Sequence, residues 1–170
     1  MDGHFYALLA RMRYIQRWAL MRNTEPENIQ EHSHMVAILA HALALLQNKH
    51  FGGHIDPGQA VLLALYHDAT EILTGDLPTP IKYYNPALRA SYKEVEETAA
   101  NRLLELLPEE LRGDYAPYLL HPDPELEAVV KAADKLDAYL KCVKERKAGN
   151  GEFQTAQVQI WDALQANPLP

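Results

Sequence analysis

Apolar positions along this chain recur at three- and four-residue spacing, and the alternating runs of a β-protein, with Asn-Gly or Asp-Gly hairpin turns between them, are missing. The pattern predicts helices throughout. The first is expected from about His4 to Trp18, with Phe5, Leu8, Leu9, Met12 and Ile15 on one face. After a polar loop, Arg22 to Glu27, a second helix starts near Asn28 and carries Met35, Ile38, Leu39, Ala42, Leu45 and Leu46 as its apolar face, ending before Phe51-Gly52-Gly53. The third is bounded by Asp56 as N-cap, Pro57 at the first helical position and Gly75 after its end. Its run Ala60 to Tyr66 is apolar nearly all round, which predicts a central position. Leu77-Pro78-Thr79-Pro80 cannot continue a helix. Four more are expected: Asn85-Pro86 to Leu107, Glu109 to Leu120, Asp123-Pro124 to Gly149 and Glu152 to Ala166. Six to seven helices with short connections imply an all-α bundle, with residues 1–170 as a single domain.

Composition narrows the classes. Sixteen Lys and Arg against 23 Asp and Glu give a net charge of −7, which argues against a general nucleic-acid-binding surface. It leaves room for one small anionic substrate. No apolar stretch approaches the roughly 20 residues of a membrane span, and the N-terminus lacks a basic start leading into an apolar run, so neither membrane anchoring nor a signal peptide is expected. A single cysteine, Cys142, excludes an intramolecular disulfide and suits a reducing, cytoplasmic setting.

Polar groups inside apolar helices are the informative ones. His67-Asp68 follows the most apolar run in the chain, and neighbouring helical residues at a helix edge can converge on one ion. Glu71 lies one turn further on. The same pair also fits the polar edge of a buried helix. Glu31-His32-Ser33-His34 opens the second helix, and two histidines two apart diverge by about 200°, so they do not share an ion. His41, among alanines and leucines, reads as a hydrogen-bonded core histidine. In the sixth helix Asp134 lies beside the apolar stripe Leu126, Val129, Val130, Ala133, Leu136, Leu140 and Val143. A salt bridge to Lys131 or Lys135 would serve it, and Lys141 would serve Asp137.

The order His32, His67-Asp68, Asp134, separated by 35 and 66 residues, resembles the signature of the HD-domain metal-dependent phosphohydrolases. The flanks sharpen the likeness. Arg17-Trp18 with Met21-Arg22-Asn23, Glu31-His32-Ser33, the run Leu65 to Pro80, Ala133-Asp134 and Ala138 to Cys142 resemble the bacterial 5′-deoxynucleotidases of that superfamily over nearly the whole chain. Against that family the chain stops somewhat early, and the acid at position 137 is a departure.

The resemblance implies an HD-domain helical bundle, a homodimer, and hydrolysis of deoxyribonucleoside 5′-monophosphates to deoxynucleoside and phosphate. It implies His32, His67, Asp68 and Asp134 as ligands of one divalent metal. Two imidazoles and two carboxylates suit Co²⁺ or Mn²⁺, with Fe²⁺ or Zn²⁺ as further options, over Mg²⁺ or Ca²⁺. Glu71 would be the general base and Arg17 the phosphate clamp. Trp18 would wall the sugar pocket against a 2′-hydroxyl, and Asp76, Leu77, Pro78 and Thr79 would contact the nucleotide, together with His32, Asp68 and Asp134 around the phosphate. Other HD-domain reactions, on triphosphates, alarmones or cyclic nucleotides, form one alternative. A non-catalytic helical module, its histidines serving core and caps, forms another. A phosphate-binding Gly-rich loop and a His-Glu-x-x-His helix are both lacking. A cysteine phosphatase would need arginine where Ala148 stands, so Cys142 reads as a packed thiol.

Overall fold

Four helix starts follow directly from their capping residues in a computed structural model that describes residues 4–78, 81 and 84–169. Asn28 accepts from the amides of Gln30 and Glu31, while Glu31 reaches back to the Asn28 amide, completing a capping box. Asp56, Asn85 and Asp123 also accept from first-turn amides as N-caps, each followed by proline. The helices are α1 (His4–Leu9), α2 (Ile29–His50), α3 (Pro57–Tyr66), α4 (Glu71–Thr74), α5 (Pro86–Glu105), α6 (Glu109–Leu119), α7 (Pro124–Lys147) and α8 (Gln154–Gln165). Single 3-10 turns cover Ala10–Tyr14 and Gly151–Phe153. Among the described residues there is no strand, only an isolated antiparallel bridge between Gln16 and Asn28. No helix among them is long and apolar enough to cross a membrane.

The all-α class is as expected, but two helices end sooner than periodicity predicts. The first stops at Leu9, and a 3-10 turn leads into extended backbone at Ile15. There the main chain pairs with the segment before α2: Arg17 N–H donates to Glu27 O at 2.9 Å, and Ile29 N–H to Ile15 O at 3.0 Å. These non-local bonds replace helical ones. The third helix stops at Tyr66, where the His67 ring Nδ1 binds the Ala64 carbonyl at 2.7 Å, the acceptor that a continuing helix would give to residue 68. A tight turn carries the chain into α4, and Gly75, at φ 74°, closes α4 by donating to Glu71 O at 2.8 Å.

α2, α3 and α7 pack around one core of Val36, Ala37, Ala40, Ala44, Ile55, Ala60, Leu63, Ala64, Val129, Val130 and Ala133. The buried face of α2 is offset from the expected one. It carries Ile29, His32, Ser33, Val36, Ala37, Ala40 and Ala44, while Met35, Ile38 and Leu46 are exposed. Close helix approach selects alanine on the inside and leaves the larger residues outside. His41 is also exposed, not a core residue, because it lies on that outer face. In α7, Leu140 at the end of the expected stripe is likewise exposed. A second cluster, Phe5, Ala69, Leu103, Leu104 and Leu107, seats α1 and α5 beside the turn after α3.

Candidate functional site

Three elements deliver the polar side chains that face one another in this core. His32 comes from the first turn of α2, His67 and Asp68 from the turn after α3, and Asp134 from the middle of α7. His32 Nε2 lies 3.1 Å from Asp134 Oδ1 and 3.5 Å from Asp68 Oδ2. His67 Nε2 lies 3.3 Å from the same Asp68 oxygen. The ligating atoms of His32, His67 and Asp68 all lie within 4.8 Å of one another. The cluster opens outward: side-chain exposure rises from 0% at His32 through 14% and 20% at His67 and Asp68 to 40% at Asp134.

Both imidazoles present Nε2 to this space. His32 Nδ1 is bonded to Asp137 Oδ2 and His67 Nδ1 to the Ala64 carbonyl, each at 2.7 Å. Both partners are acceptors, so each Nδ1 carries the hydrogen and each neutral ring bares the Nε2 lone pair. Those two nitrogens are buried and have no hydrogen-bond partner, although carboxylate oxygens stand close. Two bare imidazole nitrogens beside two carboxylates form a donor set that fits a divalent transition metal. Without a cation, burial alone would lower the His32 imidazolium, but the Asp134 and Asp137 carboxylates outweigh it and raise it to about 9. Burial would raise the Asp134 carboxyl, yet His32 and His67 hold it well below the usual range.

Arg17 closes one side. Its Nη1 lies 2.5 Å from Glu27 Oε1 and 3.9 Å from Asp137, and its Nη2 lies 3.9 Å from Asp134. Burial opposes the Arg17 charge, but Glu27, Asp134 and Asp68 more than offset it and raise its pKa. Glu27, His32 and Asp137 form a second close group of potential ligands, and the guanidinium already supplies the cation there.

Neither Asp134 nor Asp137 pairs with the lysine that spacing offered. Lys131 bonds Glu127 and Lys141 bonds Glu145, each at 2.6 Å. Trp18 is tied to the same region: its indole N–H donates to Glu27 Oε1 at 3.3 Å, Arg17 lies 5.8 Å from its ring centre, and Phe153 packs against it at 5.3 Å. Trp18 holds a positive φ of 59°, unusual for a bulky residue and costly by about 1–3 kcal/mol. Glu71 is buried in the first turn of α4. Asp76, Leu77 and Pro78 are half-buried in the loop after Gly75, and Thr79 lies outside the described residues.

A cleft of about 710 Å³ opens beside the cluster, lined by His67, Thr70, Tyr92, Tyr118, Lys131 and Asp134 among others. Its volume suits a small-molecule ligand. Trp18, Asp76, Leu77 and Pro78 do not line it. Sequence reasoning missed Glu27, whose part depends on the pairing of residues 15–17 with 27–29. Asp137 drew notice as a departure, and its spacing three residues after Asp134 placed it on the same face of α7.

A family model described as 5′-deoxynucleotidase YfbR-like matches residues 4–170. A 5′-deoxynucleotidase of Vibrio parahaemolyticus is 53% identical over 171 residues, covering 99% of this chain and 88% of the relative. One of Vibrio cholerae is 54% identical, covering 94% of this chain and 83% of the relative. Among solved structures, an HD-domain phosphohydrolase of Listeria innocua superposes with a TM-score of 0.80 at 23% identity, over 96% of this chain and 77% of that one. The HD phosphohydrolase DatZ of cyanophage S-2L, bound to dA and one catalytic Zn²⁺, superposes at 0.67 and 23% identity, over 98% and 85% of the chains.

Proposed function

This chain belongs to the YfbR-like 5′-deoxynucleotidase family, and from that premise we propose that it hydrolyses deoxyribonucleoside 5′-monophosphates at the His32–His67–Asp68–Asp134 cluster. The products are deoxynucleoside and phosphate. The observation that carries this reading is the pair of buried imidazole nitrogens, His32 Nε2 and His67 Nε2, left without hydrogen bonds beside Asp68 and Asp134.

These four residues would hold one divalent metal, and the mixed nitrogen and oxygen donors favour Co²⁺ or Mn²⁺, with Fe²⁺ or Zn²⁺ also compatible. Such an ion supplies Lewis acidity toward the phosphate and toward water. The chain's own residues do the rest. Arg17, anchored by Glu27, directs its Nη2 toward Asp134 and binds the phosphate oxygens entering there. Glu71, buried three residues beyond Asp68, takes the proton of the attacking water. Trp18, fixed by Glu27 and Phe153 beside Arg17 and off the lining of the cleft, is assigned to C2′ of a sugar seated on the Arg17 side of the cluster, where it would exclude a 2′-hydroxyl. Asp76, Leu77 and Pro78 hold the sugar from the loop after α4, and Thr79, next in sequence, is assigned to the same contact.

The buried, unpaired Cys142 suits a reducing cytoplasm, and exposed Val158 and Trp161 on α8 support association as a homodimer. A panel of ribo- and deoxyribonucleoside mono-, di- and triphosphates, assayed for phosphate release with Co²⁺, Mn²⁺ or Zn²⁺ titrated in, tests the reading. Deoxyribonucleoside monophosphates should turn over fastest. Faster hydrolysis of triphosphates would overturn it.

A further inference from the structure

Asp134 and Asp137 lie three residues apart on α7, so both face the same neighbour, and that neighbour is a single imidazole ring. Asp134 Oδ1 stands 3.1 Å from His32 Nε2, and Asp137 Oδ2 stands 2.7 Å from His32 Nδ1. One helix therefore addresses both nitrogens of His32. The other histidine of the cluster has only a main-chain carbonyl of its own helix behind it. We propose that Asp137 is a positioning residue: it locks His32 in the tautomer and ring orientation that bare Nε2, and makes that nitrogen the stronger metal donor.

This rests on the reading of His32 as a metal ligand. The physical reason is general. A carboxylate accepting the distal N–H of a ligating histidine fixes the ring and increases electron density at the coordinating nitrogen. Asp137 can do so because its buried charge is offset. Arg17 Nη1 lies 3.9 Å from the same oxygen that meets His32, and Glu27 in turn holds Arg17. Asp137 thus joins the metal ligand to the phosphate clamp. The lysine one turn on does not compete for this carboxylate, because Lys141 is taken by Glu145.

The test is metal affinity, measured on the full chain by competition of Co²⁺ or Zn²⁺ with a chromogenic chelator. The parent should bind one equivalent, and His67→Ala should lose it. Asp137→Ala should weaken binding about 10- to 100-fold. Asp137→Asn keeps an acceptor without the charge and should lose less, under about 10-fold. The visible bands of bound Co²⁺ should shift in both variants. If Asp137→Ala retains the parent's affinity, or Asn proves as damaging as Ala, the proposal falls. If Asp137→Ala does not fold, Asp137→Asn decides: weaker binding with parent-like melting supports the role, and parent affinity overturns it. A parent chain that takes up no metal overturns the ligand reading, and Asp137's role with it.

Discussion

One carboxylate oxygen, Glu27 Oε1, receives both the Arg17 guanidinium and the Trp18 indole N–H. Removing it leaves Arg17 between Asp134 and Asp137, both at 3.9 Å, and draws the guanidinium away from an incoming phosphate. Hydrogen bonds to charged groups contribute about 1.5–3 kcal/mol, so Glu27→Ala should raise KM for the monophosphate about ten- to hundredfold. Steady-state kinetics with kcat resolved from KM will check this, and an unchanged KM would leave Glu27 without that role. Glu71→Ala should behave differently. It should lower kcat by about 10²- to 10⁴-fold while the chain still binds metal, and loss of metal would make Glu71 a ligand instead. The clustering of His32, His67, Asp68 and Asp134 was legible because those residue types stand in a recognisable order. Glu27 was not, because it sits in a polar loop with no periodicity, and its partner is fixed by a backbone pairing that no spacing rule contains. Asp137 was half legible: the helix put it beside Asp134, but Lys141 offered an equally good partner on paper.

At the scale of elements, the segment between Arg17 and α2 has little apolar anchoring of its own and is held to α7 by a buried network. Glu145 accepts from the Thr24 amide and hydroxyl at 2.9 and 2.6 Å, from Asn150 at 2.9 Å and from Lys141 at 2.6 Å, and Lys141 also donates to the Glu25 carbonyl. Glu145→Ala strands Lys141 as an uncompensated buried charge and should cost about 3–5 kcal/mol, read by chemical denaturation. Burial would raise the Glu145 carboxyl, but Lys141, Thr24 and Asn150 prevail and hold it far below its ordinary 4.5. A depressed folded-state pKa gives stability that is complete above about pH 4.5 and is lost as pH falls toward the folded value. The parent should therefore lose stability more steeply below pH 4.5 than Glu145→Gln, and parallel acid curves would refute the assignment. Helix starts at Asn28, Asp56, Asn85 and Asp123 were legible because caps and prolines are local signals. The early ends of α1 and α3 were not. One is imposed by pairing with residues 27–29, the other by the His67 ring taking the Ala64 carbonyl, and both place side chains of the candidate site where a continuous helix would not.

For the molecule as a whole, the consequence is that its proposed ligands come from three elements far apart in sequence, on α2, the turn after α3, and α7. An ion held by His32, His67, Asp68 and Asp134 would tie together α2, the end of α3 and α7, the same three helices whose alanine-rich faces make the central core. The unfolded chain has no such convergence, so the ion would bind the native state selectively and stabilise it by mass action. Free metal at 100 times Kd contributes about 2.7 kcal/mol. For a chain of this length each kcal/mol moves Tm by about 2–4 °C, so saturating Co²⁺ or Mn²⁺ should raise Tm by about 5–10 °C over an EDTA-treated sample. His67→Ala should fold but lose most of that increment, since its ring lies at the edge of the core rather than within it. Differential scanning calorimetry of parent and variant, with metal and with EDTA, separates the two effects. An increment that survives His67→Ala would place the stabilising ion elsewhere on a chain whose net charge of −7 offers acids in many places.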